Sequence, residues 1–417
     1  MLKLDRICTL ITIIFFALII LCAQYVKFMD ELCVISLIVI AAFDCIVNRN
    51  WMRYKLLWVI LSVFLAYTVY TLLCFKFNTT KYVLTDFIIE MKPFVAISVI
   101  MAIAPKFTVK EKIIIRYIAI VNSVIVFGLF LCGYKIAVAV LFHVMYGGVI
   151  ILLSAILYLY SSIEDDGSVS KKDLTITVAM LVAGLACTRS KYYGEFVVSI
   201  FFLFFYRYGI LKRFEFKHVA LVLSVVVMII VVSWSKIEYY FITGNSDTYD
   251  PNVIVSYARP AMYLTSFLIF LDYFPFGSGL ASFASYASAE HYSNLYYNYG
   301  LNLVWGLSPE KNDFICDAYY PTLAQFGVAG IILFICFWIY IYSFLKALIN
   351  YNHVRFKYEF CIGCIIICTM LIESIASTLF VQGHGVLMMI ILGMICAQGK
   401  EFKEQLKEKN ITCNGKI

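Results

Sequence analysis

Charge is what this sequence has least of. Of its 417 residues, 14% are charged against 63% hydrophobic, and the mean hydropathy is +0.89. Soluble domains carry about 25% charged residues, so this scarcity excludes an ordinary soluble domain and points to a polytopic membrane protein. A P-loop and a dinucleotide fingerprint are both missing, which removes the motifs expected of a nucleotide-driven pump. No internal repeat or coiled-coil heptad stands out. No small-x-small cleavage site follows the opening Met1-Leu2-Lys3-Leu4-Asp5-Arg6 at the right distance, and Leu21-Cys22 is a poor lipoprotein site, so an uncleaved first helix is expected. The net charge of +7 does not indicate nucleic acid, because Lys and Arg gather in short stretches between apolar runs, as membrane orientation requires.

What is abundant is apolar helix. Spans need roughly 17–25 apolar residues, and that ruler places about twelve of them, near 7–24, 31–47, 56–75, 93–104, 113–132, 137–160, 174–187, 195–208, 218–235, 320–346, 359–380 and 385–398. The fourth is expected to extend upstream through Thr85–Met91 despite Lys92-Pro93. Cations fall in alternate loops, with Lys76, Lys81 and Lys92 as exceptions, which sets both termini in the cytoplasm and the large loop outside. The expected fold is therefore an all-α helix bundle in a membrane. Residues 1–235 carry nine spans, 236–319 form one large extracytoplasmic loop with short helices, 320–399 carry three more spans, and 400–417 form a cytoplasmic tail. Fourteen cysteines lie mostly within apolar runs as small hydrophobes, and the CxxC at Cys361–Cys364 lies in a span without nearby ligands.

The large loop is the natural place for chemistry, since loops carry function while spans supply scaffold. Before it, Thr188-Arg189-Ser190-Lys191-Tyr192-Tyr193 interrupts two apolar runs and puts two cations on the outer side, against the general bias. A guanidinium held at membrane depth is expensive without a partner, and its planar fork matches phosphate oxygens. Arg189 reads either as an anion-binding residue or as an interfacial anchor paired with Glu195. In Tyr257-Ala258-Arg259-Pro260, the proline suits a first helical turn, which sets Arg259 just before a helix; there it is an anion ligand or an interface anchor. Gly277 and Gly279 permit a sharp reversal near a ligand, or a plain turn.

Tyr286 through Trp305 is crowded with Tyr and Asn, suited to sugar faces and hydroxyls or equally to an interfacial aromatic belt. Asp313 and Asp317, flanking Cys316, are candidate proton acceptors at the mouth of the bundle, Asp317 alternatively capping the next helix. Glu373 and His384 complete the ionisable groups with outward access, whereas His143 is expected to pack inside the sixth span.

Taken together, about twelve spans, Thr-Arg-Ser opening a short outer turn, a late loop with an Arg before a helix ending Pro-x-Gly-x-Gly, and Asp317-Ala318-Tyr319-Tyr320-Pro321-Thr322-Leu323-Ala324-Gln325-Phe326-Gly327-Val328-Ala329-Gly330 resemble the bacterial O-antigen polymerase and O-antigen ligase superfamily. The family's outer-turn arginine falls on Arg189, its loop arginine on Arg259, and its Gly-x-x-Gly on Gly327 and Gly330. The ligase branch has a catalytic His where this chain has Cys316, which favours the polymerase branch. The resemblance implies an inverting transferase in the bacterial inner membrane, acting on polyprenyl-diphosphate-linked oligosaccharide as donor and acceptor. It implies no cofactor, no nucleotide sugar and no metal, with membrane lipids and a chain-length regulator protein as candidate partners. Arg189, Arg259 and Asp317 would be catalytic, and Lys191, Tyr192, Tyr257, Gly277, Gly279, Asp313 and His384 would line the substrate.

Overall fold

The computed structural model describes residues 4–22, 25, 28–206, 234 and 257–414. Over these residues the chain is helical, with no strand beyond a single antiparallel bridge between Ser308 and Lys311. The longer helices are α1 (Leu4–Ala17), α2 (Met29–Val47), α3 (Lys55–Leu73), α4 (Thr80–Ile103), α5 (Val109–Cys132), α6 (Tyr134–Leu141), α7 (Val144–Ser162), α8 (Lys171–Gly184), α9 (Ser190–Ile200), α10 (Ala258–Asp272), α11 (Gly327–Tyr351), α12 (Lys357–Glu373) and α13 (Gly383–Asn414).

Among the described residues, five helices are long and apolar enough to cross a membrane: Trp51–Leu73, Val109–Cys132, Val144–Ser162, Gly327–Tyr351 and Gly383–Lys403. Their burial divides them. Val144–Ser162 is 83% buried and Gly383–Lys403 78%, as befits helices that are apolar all round, whereas the other three are 28% buried. Those three turn residues such as Val69, Val124 and Ile339 outward. Apolar faces of this extent are what hydrocarbon solvates, and water would not. The centre is completed by the second half of α4, buried from Met91 to Ile103, which packs along α13.

Several spans differ from the expectation, each for a local reason. The fourth does extend upstream, through Pro93, as α4. Lys92 is no loop cation: its Nζ lies 2.5 Å from Asp30 and 2.6 Å from Glu31 at the start of α2, a buried charge matched by carboxylates. The sixth is broken, because Phe142 takes a φ of +65° and His143 caps α7 by accepting the Met145 N–H at 3.1 Å. The seventh closes in a tight turn, Leu185–Cys187, with Thr188 left-handed before α9. The tenth is split into a 3₁₀ turn, Tyr320–Gln325, and α11, while the twelfth and the tail form one helix. The expected ninth span at 218–235 lies, but for Trp234, outside the described residues, as does the start of the large loop.

From Tyr257 to Phe326 the chain builds a lobe on one end of the bundle. It has its own small core, including Met262, Ile269, Phe283, Leu295, Tyr296 and Ile315. Tyr296 is therefore core rather than sugar platform, while Tyr286, Tyr297 and Trp305 stay exposed. Helix side chains catch the lobe by its backbone: Asp86 accepts the Ala281 N–H at 2.7 Å, Thr71 the Leu280 N–H at 2.8 Å, and Tyr70 donates to the Gly277 carbonyl at 2.9 Å.

The two glycine motifs meet each other. Gly277 (φ +79°) and Gly327 (φ +62°) pass backbone against backbone, so a Cβ on either would strike the other's N, and a Cβ on Gly279 (φ +85°) would strike Thr71. Gly277 and Gly279 are buried in this joint, which corrects their expected place along the substrate. Gly277→Ala should cost about 1–3 kcal/mol through strain and collision. The control Gly128→Ala, whose Cβ would meet nothing within 4 Å, should instead gain ~0.5–1 kcal/mol as a helix-interior replacement. Thermal unfolding of the two variants in detergent should move in opposite directions.

Candidate functional site

The site forms where the lobe's last turn lies on the end of α12. The amides of Tyr319 and Tyr320 both donate to the Ser374 carbonyl, at 3.0 and 3.2 Å, and the Tyr320 hydroxyl donates to the Leu371 carbonyl at 2.8 Å. From the other side of the lobe, the Tyr263 hydroxyl donates to the Ile375 carbonyl at 2.7 Å. These bonds set Asp317 and α10 beside α12.

Arg259 is in the first turn of α10, one residue inside the helix rather than before it, with Tyr257 as the N-cap. Its guanidinium is ion-paired with Asp317, and both side chains remain about a third exposed, at 27% and 32%. Asp317 thus holds an arginine and does not cap the following helix, whose N-cap is Tyr319. Burial pushes the Asp317 carboxyl up from its ordinary range, while Arg259, Lys191 and His143 draw it back.

Lys191 comes from the first turn of α9. Its ammonium lies 2.7 Å from the Glu373 carboxylate and donates to the Ala376 carbonyl at 3.0 Å, with Met145 Sδ at 2.9 Å. Glu373 accepts a further bond from Ser377 at 2.8 Å, and buried Glu195 lies beside it. A cation this fully engaged has a structural task, so Lys191 is corrected from a substrate ligand to the counter-charge of Glu373.

Arg189, the N-cap of α9, is treated differently by the fold. Its Nε is buried without a hydrogen-bond partner, and its guanidinium makes no hydrogen bond or ion pair among the described residues. The pairing with Glu195 weighed from the sequence is not formed. His143, at the break between α6 and α7, lies in the fields of Arg189, Lys191 and Asp317 together, which ties the two arginine-bearing elements to one locality. A carboxylate, an imidazole and a guanidinium without a partner among the described residues therefore lie in one locality, each half-buried.

Other expected residues are placed elsewhere. Tyr192 is 2% exposed and donates to the Leu181 carbonyl at 2.8 Å, its ring filling the space left by Gly184 and Gly148, so it packs and does not face a ligand. His384 lies deeper, 3% exposed and stacked on Tyr146 with ring centroids 5.4 Å apart, its Nε2 without a hydrogen-bond partner among the described residues. Asp313 is exposed on the lobe, and no hydrogen bond or ion pair joins it to the cluster among the described residues. Cys316 is half-buried, its carbonyl accepting from Thr378 at 3.2 Å. His143 is the residue of this locality that the sequence left out of the site; a lone imidazole inside an apolar run, followed by Gly147-Gly148, was the available signal for an interrupted helix.

Beside Arg259, a cavity of about 520 Å³ opens between α10, α11 and α12, lined by Tyr263, Phe270, Tyr320, Phe334 and Leu371 among others. Its walls are apolar and it begins one helical turn from the Arg259–Asp317 pair. No protein-family model matches the chain, and no curated protein matches its sequence.

The Lys191–Glu373 pair should behave as a unit. Glu373→Gln or Lys191→Met alone leaves a buried charge uncompensated, at a cost of about 3–5 kcal/mol. The double variant should cost clearly less than the sum, with a coupling of about 0.5–3 kcal/mol in an unfolding cycle.

Proposed function

We propose that the chain is a glycan-assembly glycosyltransferase that polymerises polyprenyl-diphosphate-linked oligosaccharide repeat units. In this reading about twelve spans cross the bacterial inner membrane, both termini are cytoplasmic, and the lobe and its site face outward. The alternation of cations between loops supports that orientation. The observation that carries the reading is the Arg189 guanidinium without a partner among the described residues, in the same locality, around His143, as the Arg259–Asp317 pair. The apolar cavity one turn from Arg259 supports a lipid-borne substrate, since it offers hydrocarbon a place next to the cations.

The chemistry follows from these groups. The acceptor hydroxyl attacks the anomeric carbon of the donor, the carbon–oxygen bond to the diphosphate breaks, and the diphosphate departs with the electron pair. Arg189 and Arg259 oppose the charge that develops on it, in positions fixed before the reaction. The hydroxyl proton passes to Asp317, with His143 as the neighbouring imidazole. Attack opposite the leaving group inverts the anomeric centre. No metal, cofactor or nucleotide sugar takes part in this scheme, and a chain-length regulator is its expected protein partner. Transfer to a terminal acceptor, as in a ligase, would use the same groups, but Cys316 occupies the position of that branch's histidine.

A second reading, translocation of a lipid-linked glycan, is favoured by the break at Phe142 and His143, since transporters build sites at interrupted helices. One experiment separates the two. Purified protein given a lipid-linked repeat unit should yield a ladder of polymer. Arg189→Lys and Arg259→Lys should each reduce it roughly 100-fold while still inserting, because a point charge cannot replace a bidentate fork. Undiminished ladders in both variants would remove the proposal, and labelled substrate crossing proteoliposomes without any polymer would decide for translocation.

A further inference from the structure

A cavity larger than the one beside this site lies elsewhere in the bundle. It is a groove of about 690 Å³ between α3, α4 and α11, with Lys400 of α13 at one end. Its walls are apolar, from Val59 and Phe64 to Phe94 and Phe326. Polar groups along them are already used: the Ser98 hydroxyl donates to the Phe94 carbonyl at 2.6 Å and the Tyr67 hydroxyl to the Phe326 carbonyl at 2.8 Å. An occupant of the groove proper would therefore meet mostly hydrocarbon.

One mouth is different. Arg53, Lys55 and Lys400 all line the groove at the end of the bundle away from the lobe. Arg53 is committed, donating to the Ala102 carbonyl at 2.5 Å and the Ile103 carbonyl at 3.1 Å, with Asp44 at 3.5 Å. Exposed Lys55 and half-buried Lys400 make no hydrogen bond or ion pair among the described residues. Two ammonium groups beside a fixed guanidinium, at the head of an apolar trough, match a phosphate joined to an alkyl chain.

Length selects among such molecules. The stretch of α3 that lines the groove, Lys55 to Tyr67, spans about 18 Å at the helical rise of 1.5 Å per residue. That is close to one leaflet of a hydrocarbon core roughly 30 Å thick. We propose that this groove holds an anionic glycerophospholipid, its phosphate on Lys55, Lys400 and Arg53 and one acyl chain between α3, α4 and α11. The cationic mouth lies at the end of the bundle away from the lobe that carries Arg259, and the proposal does not rest on the reading of Arg189 and Arg259.

Native mass spectrometry of the delipidated full-length protein, titrated with phosphatidylglycerol or phosphatidylcholine of identical chains, tests it. The wild type should retain phosphatidylglycerol on the order of tenfold more strongly, from cations near an anionic headgroup. Lys55→Glu/Lys400→Glu should abolish that preference, and Val59→Trp, which fills the trough, should weaken both lipids. If a variant fails to fold, the wild-type competition decides alone. Equal retention of the two lipids, or an unchanged preference in the charge-reversed variant, overturns the proposal. So does a lipid-free dimer, or binding of a polyprenyl phosphate that excludes phosphatidylglycerol and ignores the charge reversal.

Discussion

The candidate site depends on one carbonyl. Ser374 ends α12 and accepts the amides of both Tyr319 and Tyr320. That pair of hydrogen bonds fixes the last turn of the lobe to a helix end that is far away in sequence. Asp317 is carried into place by it, Arg259 follows through its ion pair, and Glu373, one residue from Ser374, presents its carboxylate to Lys191. The Tyr263 and Tyr320 hydroxyls, bonded to the Ile375 and Leu371 carbonyls, reinforce this joint between the lobe and the helix end that Lys191 of α9 also reaches. Helix ends leave carbonyls unsatisfied, and such groups near a membrane must find donors within the protein. Here the donors are amides of the segment that carries Asp317, so satisfying the helix end and assembling the candidate site are the same event.

Electrostatics then sorts the cations. In a low-dielectric setting a charge is tolerated where an opposite charge and hydrogen bonds compensate it. Lys92 has Asp30 and Glu31, Lys191 has Glu373, and Arg259 has Asp317. Arg189 departs from this pattern, with a buried Nε and no partner among the described residues. Among the described residues the fold matches its other deep cations and leaves this guanidinium uncompensated, which is what supports the proposal that it takes an anion from outside. Rigidity supports the arrangement, because α4, α7 and α13 are packed through most of their length behind it.

Much of this was legible from residue order, and the failures have physical causes. The all-helical class and its apolar helices follow from long hydrophobic runs, which few other structures accommodate. Arg189, Arg259 and Asp317 stood out because charges are rare enough here to be conspicuous. Pairing was not legible: nothing in sequence spacing says that Lys191 meets Glu373, or that Asp317 meets Arg259, since the partners are far apart in the chain. Gly277 was read as part of a permissive turn and Gly327 only as part of a Gly-x-x-Gly motif, and their freedom is used to pass one another, a contact between segments about fifty residues apart. Tyr192 and Tyr296 were misread for a related reason. A tyrosine satisfies a buried carbonyl or amide as readily as it meets a sugar, and composition does not separate the two. His143 was hidden by an apolar run that continues on both sides of a break.

The central claim is that Arg189 is held open for a diphosphate. Calorimetric titration of the purified protein with a polyprenyl diphosphate, in wild type and in Arg189→Gln, measures this without requiring turnover. The account predicts binding that weakens with added salt and falls at least tenfold in Arg189→Gln, about 1.4 kcal/mol. Equal affinity in the two proteins would contradict it.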